Sequence, residues 1–425
     1  MRIWYARSMW LALLALSGCS GVLGTADRPD VVMIVLDTVR ADSFALYGGR
    51  VEAPAITSLA REGVVFERAF SHFTMTPESH WVMLSGLLPE PHLSLQVHLP
   101  WSGPLLTDRL RAEGWKTGAF VGGITMTDAV VHLRDRFDHY DEDWVFTPDG
   151  HRPASRTVAA AQAWRAAQTG PTFTLVHLFD AHAPYTPARR RFGAGRDSGA
   201  MPNLARLRAA PTDAGVQAMR DLYDSEIAEL DDALAPFLAT LAPDTIVLLT
   251  ADHGESFRAA PLFEHSTVLQ DEVLHVPLVI RAPGVAPGRV STMVGLADVT
   301  PTLLTLVGLP VPDGLDGAAI LPATPTRERH YARAFAPVNA PRGFAVRTPT
   351  WKAILHPSGE WSAYDLSADP AETTPLPLPS PLTTAWDDYQ AAVADTPAPA
   401  APLRAAPTAP RHVNEALEAL GYQER

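Results

Sequence analysis

A single cysteine, Cys19, and only two lysines, Lys116 and Lys352, stand in a chain of 425 residues. One cysteine excludes an internal disulfide framework and a cysteine-rich zinc module, and its place near the N-terminus leaves no thiol nucleophile in the mature fold. With so few lysines, any site that clamps an anion must rely on arginine, histidine, backbone N–H groups or a metal. Positive charge is scarce overall: 34 Lys plus Arg against 47 Asp plus Glu give a formal net charge of −13. That balance offers no footprint for a phosphate backbone, so nucleic acid is not an expected partner. What is present is a globular composition, 47% hydrophobic and 19% charged, in a chain long enough to bury a large core.

Residues 1–19 read as a secretory signal. Arg2 and Arg7 supply the charged region and Met9 to Leu16 the apolar one, which is too short to span a bilayer as a mature helix. The exit sequence Leu16-Ser17-Gly18-Cys19 resembles the bacterial lipobox, a resemblance that implies lipidation of Cys19. An ordinary cleaved signal is the alternative. Under the lipobox reading the protein is anchored in the bacterial cell envelope. Ser20, where an Asp would retain it at the inner membrane, points to the outer membrane facing the periplasm.

Beyond a tether at residues 20–29, three apolar runs end abruptly in polar residues, as buried parallel strands do. Val31 to Leu36 meets Asp37, Phe173 to Phe179 meets Asp180-Ala181-His182, and Thr245 to Leu249 leads into Thr250-Ala251-Asp252-His253-Gly254-Glu255. Helical patterns lie between them: Ala53 to Gly63, Leu105 to Gly114, Ser155 to Gln168 and Val216 to Leu241. The alternation predicts an α/β fold, a wound and mostly parallel sheet covered by helices on both faces, over residues 30–321. Ligands bind off the carboxyl ends of such strands, so three strands that each deliver Asp or His there point to one shared site. Residues 322–394 change character: Phe344 to Arg347, Trp351 to His356 and Glu360 to Leu366 predict a small antiparallel α+β subdomain. An Ala/Pro-rich linker at 395–411 and a terminal helix at 412–425 follow. Ala188 to Asp213 and Leu87 to Trp101 read as irregular lid segments.

Several motifs carry chemistry. Asp37-Thr38-Val39-Arg40-Ala41-Asp42 sits at a strand end and reads equally as turn chemistry. Thr76-Pro77-Glu78-Ser79-His80 predicts a helix start with Thr76 at the N-cap and Pro77 at the first helical position. The same geometry would set a hydroxyl beside free N–H groups and the positive end of the helix dipole, which favours an alkoxide and an incoming anion. Asp252-His253 is more specific, because a carboxylate and an imidazole adjacent at a strand end are poorly explained by packing. Two Asp, one Thr oxygen and one His can surround a hard or borderline divalent cation, with His182 and His265 left to hold substrate oxygens.

The order of these pieces resembles the sulfatases of the alkaline phosphatase superfamily, from about Asp30 to Asp369. The matching segments are Val35 to Asp42; Thr76 to His80 with Leu84-Ser85-Gly86; Phe179 to Tyr185; Asp252 to Glu255; His265 before Val276-Pro277-Leu278-Val279; Thr300 to Leu304; and Tyr364-Asp365-Leu366 before Asp369-Pro370. The resemblance implies a metal held by Asp37, Thr76, Asp252 and His253, a nucleophile at Thr76 with Thr74 as the alternative, and Arg40, His80, His182 and His265 on the substrate side. His182 or His265 would also serve as the catalytic acid. One divalent ion is expected, Mn²⁺ or Ca²⁺, with a second left open.

The departures from the pattern matter as much. A threonine cannot become formylglycine, His80 stands where the family motif has Arg, and Thr38 stands where a second Asp is usual. Val121-Gly122-Gly123 and Ser266 lack the two sulfate-clamping lysines. The expected activity is hydrolysis of sulfate or phosphate esters on a small molecule, glycan or lipid, phosphate being favoured by the charge layout. A transferase of phospho-headgroups in the envelope and a non-catalytic binding protein on the same fold are the alternatives. For the anchor, intact-mass measurement of protein from its native membrane should show a lipid adduct on a chain beginning at Cys19. An unmodified chain beginning near Ala26 would exclude it.

Overall fold

The computed structural model describes residues 28–89, 103–142, 151–193, 212–258, 265–334 and 343–394. Cys19, the linker and the terminal helix expected at 412–425 lie outside the described residues, as do most of both expected lid segments. Among the described residues, no helix is long and apolar enough to cross a membrane.

Among the described residues, fifteen strands form three sheets. In chain order they are β1 (Val31–Leu36), β2 (Val64–Phe66), β3 (Ala69–Phe70), β4 (Lys116–Val121), β5 (His139–Asp141), β6 (Thr172–Leu178), β7 (Ile246–Ala251), β8 (His275–Val276), β9 (Leu278–Arg281), β10 (Gly288–Val290), β11 (Val294–Gly295), β12 (His330–Arg333), β13 (Phe344–Arg347), β14 (Trp351–Leu355) and β15 (Trp361–Asp365). The central eight-stranded sheet has the order β10-β2-β9-β7-β1-β6-β4-β5. Only β9 runs against its neighbours. This is the α/β architecture expected, a mostly parallel sheet with a small antiparallel addition. The three strands read from sequence are its centre, where burial on both faces demands unbroken apolar runs. Every residue of β1 and β7 is buried. The outer strands were not legible because β2, β5 and β10 are only three residues each.

Register fixes the site. Leu36 pairs with Leu178 on one side and Ala251 on the other. The next residue of each strand, Asp37 and Asp252, therefore leaves the sheet at the same level on neighbouring strands. The helices α1 (Pro54–Glu62), α2 (Thr76–Ser85), and those at Leu106–Ala112, Ala154–Ala166 and Asp213–Leu238 match the expected segments to within a turn at their ends.

β12 to β15 form an antiparallel meander whose inner face packs Phe344 against Trp386 and Tyr389 of the helix Ala385–Val393. The first strand was not expected, whereas a helix within residues 322–394 fits the α+β subdomain expected there. The meander is pinned to the main body by two stacked, buried histidines, with ring centroids 4.2 Å apart. His72 Nδ1–H donates to the Tyr331 carbonyl at 2.7 Å and His330 Nε2–H to the Ser71 carbonyl at 2.9 Å. Burial lowers the His72 pKa to about 3 and that of His330 well below its ordinary range. Below the ordinary histidine value of 6.5 the unfolded chain takes protons that the folded junction refuses, so stability is greatest above that pH and falls as pH drops. The expected slope is roughly 1 kcal/mol per pH unit for each histidine. In His330→Gln, which keeps a donor for Ser71 but does not titrate, the urea midpoint of the metal-free protein should fall less steeply between about pH 7.5 and about pH 5; an unchanged slope would show that the junction does not set it.

Candidate active site

Asp37 and Asp252 are wholly buried side by side. Asp252 Oδ1 accepts from the backbone N–H of His253 at 2.8 Å and of Thr38 at 3.1 Å. Thr38 holds a left-handed conformation, φ 58°, that a β-branched residue rarely adopts. It is kept there by its hydroxyl, within 3.0 Å of the Ala181 carbonyl, and by Tyr223, whose hydroxyl donates to its carbonyl at 2.7 Å. Thr38 thus works through its backbone, turning an N–H onto Asp252.

Asp37 Oδ2 accepts from the Thr76 hydroxyl at 3.1 Å and from His177 Nε2 at 2.9 Å. Here the expected helix start needs correction. The N-cap of α2 is Met75, and Thr76 is the first helical residue. Its hydroxyl is released from capping and is available to Asp37. Thr74, the alternative nucleophile, instead donates to the Ser266 carbonyl at 2.6 Å.

Among the described residues, Asp37 Oδ1, Asp252 Oδ2, His253 Nε2, His80 Nε2 and His177 Nδ1 are buried without a hydrogen-bond partner. Asp252 Oδ2 and His253 Nε2 lie 3.5 Å apart. Buried polar atoms left unpaired in this number call for a ligand. Two carboxylate oxygens and an imidazole nitrogen suit a divalent cation. Asp37, His177 and Asp252 each bring a ligand-capable atom within 4.8 Å of the others, a buried group consistent with a metal site of the kind sulfatases carry.

The electrostatics agree. Burial, and then the neighbouring Asp252 charge, push the Asp37 carboxyl well above its ordinary pKa. Burial also opposes ionisation of Asp252, but His253, His80 and His177 outweigh it and hold that carboxyl below the ordinary value. Two adjacent carboxylates cannot both ionise without added positive charge. Burial holds His80 and His177 neutral, their pKa values lowered to about 4.

The remaining expected residues fall into two groups. His253, His265 and His182 are contiguous, with ring centroids 4.5 Å and 5.4 Å apart along that order. His265 Nδ1–H donates to Glu255 at 3.2 Å, and the Tyr185 hydroxyl donates to the same carboxylate at 2.9 Å. His80 directs its Nδ1–H to the Thr76 carbonyl at 2.8 Å, one helical turn back, and stands edge-on to His177. Arg40, expected to face substrate, has its guanidinium forked onto Asp42 at 2.6 and 2.7 Å, with further bonds to the Glu255 carbonyl and Glu272. It braces the wall of the site. His177 was missed by sequence reasoning. Its one signal is a histidine near the end of the otherwise apolar run Phe173 to Phe179, on the alternating face that meets the site.

The sequence profile of the family described as Sulfatase matches residues 29–309, and that described as N-sulphoglucosamine sulphohydrolase, C-terminal, matches residues 262–378. Arylsulfatase K of Bos taurus is 30% identical over 207 residues, which is 42% of this chain and 37% of that protein. Choline-sulfatase of Rhizobium meliloti (strain 1021) is 30% identical over 203 residues, 43% of this chain and 38% of that protein. The matches thus span well under half the length of these curated relatives. Among solved structures, BT4656 in complex with its substrate D-glucosamine-2-N,6-O-disulfate gives a TM-score of 0.71 at 17% identity, covering 87% of this chain and 99% of that one. The phosphonate monoester hydrolase of Agrobacterium radiobacter gives 0.68 at 22% identity, covering 86% and 95%. At these identities the structural likeness shows the fold.

The orphaned oxygens make a direct prediction. Elemental analysis of the purified protein should find a stoichiometric divalent cation, and Asp252→Asn should weaken its retention on dialysis by at least about tenfold. Unchanged metal content in that variant would remove Asp252 from the site.

Proposed function

The chain belongs to the sulfatase family, and from that membership we propose that it is a metal-dependent ester hydrolase with Thr76 as nucleophile and phosphate esters as its preferred substrates. The observation that carries this reading is the position of the Thr76 hydroxyl. It lies 3.1 Å from Asp37 at the N-terminus of α2, beside the unpaired oxygens and nitrogen that fit a cation. Asp37, Asp252 and His253 would hold that cation, with the Thr76 oxygen completing the set. When bound, the cation supplies a lowered pKa for a coordinated hydroxyl and polarisation of a non-bridging ester oxygen.

The chain's own residues account for the rest. Asp37 Oδ2 orients the Thr76 hydroxyl, and the positive end of the α2 dipole favours the negative charge that develops there. The Thr76 oxygen gives its proton to Asp37 Oδ2 along their hydrogen bond and bonds to phosphorus or sulfur as the ester oxygen leaves with its electron pair, giving a covalent Thr76 ester. His265, whose Nδ1–H is held by Glu255, is suited to give a proton to the leaving oxygen. Burial opposes ionisation of Glu255, but His265 beside it and the Tyr185 hydroxyl hold its carboxyl below the ordinary value. His182 directs its Nδ1–H to the Ala183 carbonyl at 2.7 Å and is lowered by burial to about 3. A neutral ring of that tautomer suits accepting a proton from the water that releases the Thr76 ester.

The preference for phosphate rests on missing positive charge. A Cβ on Gly123 would stand 2.3 Å from the Phe179 ring, and that ring is stacked on His182 at 4.3 Å. Any side chain at Gly123, in the segment where the family carries its first lysine, would require the Phe179 ring to shift. Of the chain's two lysines, Lys116 opens β4 at the opposite edge of the sheet and Lys352 is buried between Asp271 and Glu372. An unmodified threonine would also form a sulfated enzyme that water must then clear, a step the family's aldehyde hydrate avoids. Glycan and lipid esters of the cell envelope are the natural setting if Cys19 is lipidated. The test is a panel of aryl sulfate, phosphate monoester, phosphate diester and phosphonate substrates. The expected outcome is a kcat/KM for the best phosphorus ester at least roughly tenfold above that for the matched sulfate, about 1.4 kcal/mol of transition-state binding. Thr76→Ala should abolish turnover while Thr74→Ala retains it. The reverse substrate order, still dependent on Thr76, would refute the phosphate preference.

A further inference from the structure

We propose that His177 is a positioning residue that locks the orientation of Asp37, and that it is not itself a metal ligand. The inference rests on the reading above that Asp37, Asp252 and His253 hold a cation. Asp37 is satisfied unevenly: Oδ2 takes both hydrogen bonds, from Thr76 at 3.1 Å and from His177 at 2.9 Å, while Oδ1 is buried with none. With a cation bound, Asp37 is ionised and its oxygens only accept, so the His177 proton then sits on Nε2. The other tautomer would set two lone pairs against each other at that distance and bury an N–H at Nδ1, which has no partner.

The ring is held in this pose from two sides. His80 stands edge-on at 5.2 Å and 76°, and Phe179 lies 6.0 Å away. The backbone is held as well: the Asp37 N–H donates to the Leu178 carbonyl at 2.8 Å. His177 therefore reaches Asp37 from the neighbouring strand with both main chains fixed. Its bond occupies Oδ2 and leaves Oδ1, unpaired like Asp252 Oδ2 and His253 Nε2, as the oxygen for a cation. The same bond keeps Oδ2 placed to receive the Thr76 hydroxyl, so one imidazole sets both the ligand oxygen and the nucleophile. Groups that hold metal-ligating carboxylates in this way typically matter by about 10–100-fold.

The alternative is direct ligation, since His177 brings a ring nitrogen within 4.8 Å of ligand-capable oxygens of both aspartates. Pulsed electron paramagnetic resonance of Mn²⁺-loaded protein separates the two by counting directly bound imidazole nitrogens. The expected wild-type signal is one nitrogen, lost in His253→Gln and kept in His177→Gln, whose amide can stand in for the Nε2–H donor. His177→Gln should hold Mn²⁺ within about threefold of wild type, and His177→Leu about 10–100-fold more weakly with kcat reduced and KM little changed. Thermal melts establish that each variant is folded; if His177→Leu fails to fold, the nitrogen count in His177→Gln decides alone. Two nitrogens in the wild type, one of them lost in His177→Gln, would overturn the positioning role while leaving the cation reading intact. A wild-type Mn²⁺ affinity and kcat in folded His177→Leu would overturn it as well. A wild-type protein that binds no Mn²⁺ would refute the cation reading itself, and the proposal with it.

Discussion

Two carboxylates leave the central sheet at the same level on adjacent strands, and the rest of the site answers their repulsion. The register that pairs Leu36 with Ala251 makes the meeting of Asp37 and Asp252 unavoidable. Their burial makes it costly. The protein meets the cost in part with neutral donors: the backbone N–H groups of Thr38 and His253 on Asp252, and Thr76 and His177 on Asp37. It leaves one oxygen of each carboxylate unanswered. That residue of unmet negative charge is the physical basis for expecting a cation, and it does not depend on which cation binds. The left-handed Thr38 belongs to the same economy, since only that backbone angle turns its N–H inward.

Positive charge, scarce in the sequence, is used mainly to brace the scaffold. Arg40 joins Asp42 to Glu272, Arg258 joins Glu272 to the 372 loop, and Lys352 lies between Asp271 and Glu372 with Arg347 on the far side of Asp271. This alternating chain of charges runs from the end of β1 to the small meander. It ties the subdomain to the wall of the site, alongside the His72–His330 contact. Removing one member would strand a buried charge, which is generally far more damaging than losing a surface pair. The anion-facing surface is left to imidazoles and to the start of α2.

Phe179 shapes the side of the site that faces Gly123 and His182. It follows β6, stacks on His182 and occupies the volume that any residue larger than glycine at position 123 would need. A larger residue at position 123 would require the Phe179 ring to move off its present place. The absence of lysine in Val121-Gly122-Gly123 is therefore built into the packing of the site.

Much of this was legible in the sequence because burial on both faces of a parallel strand writes an unbroken apolar run, and a polar residue that ends such a run marks the sheet's carboxyl edge. Val31 to Leu36 ending at Asp37 and Thr245 to Ala251 ending at Asp252 are such cases, and motif order alone assigned the fold. The short outer strands left no run to read. Three things were decided only by tertiary structure. The fork of Arg40 onto Asp42 and Glu272 depends on a helix more than two hundred residues away in sequence. The placing of the Thr76 hydroxyl on Asp37, with Thr74 turned to the Ser266 carbonyl, depends on where α2 begins relative to Asp37. The partnership of His177 with Asp37 joins two strands 140 positions apart. Local pattern records which face a residue takes, because that is a property of its own strand or helix. Which group it meets there is set by the register between strands distant in sequence, and only the folded chain fixes that.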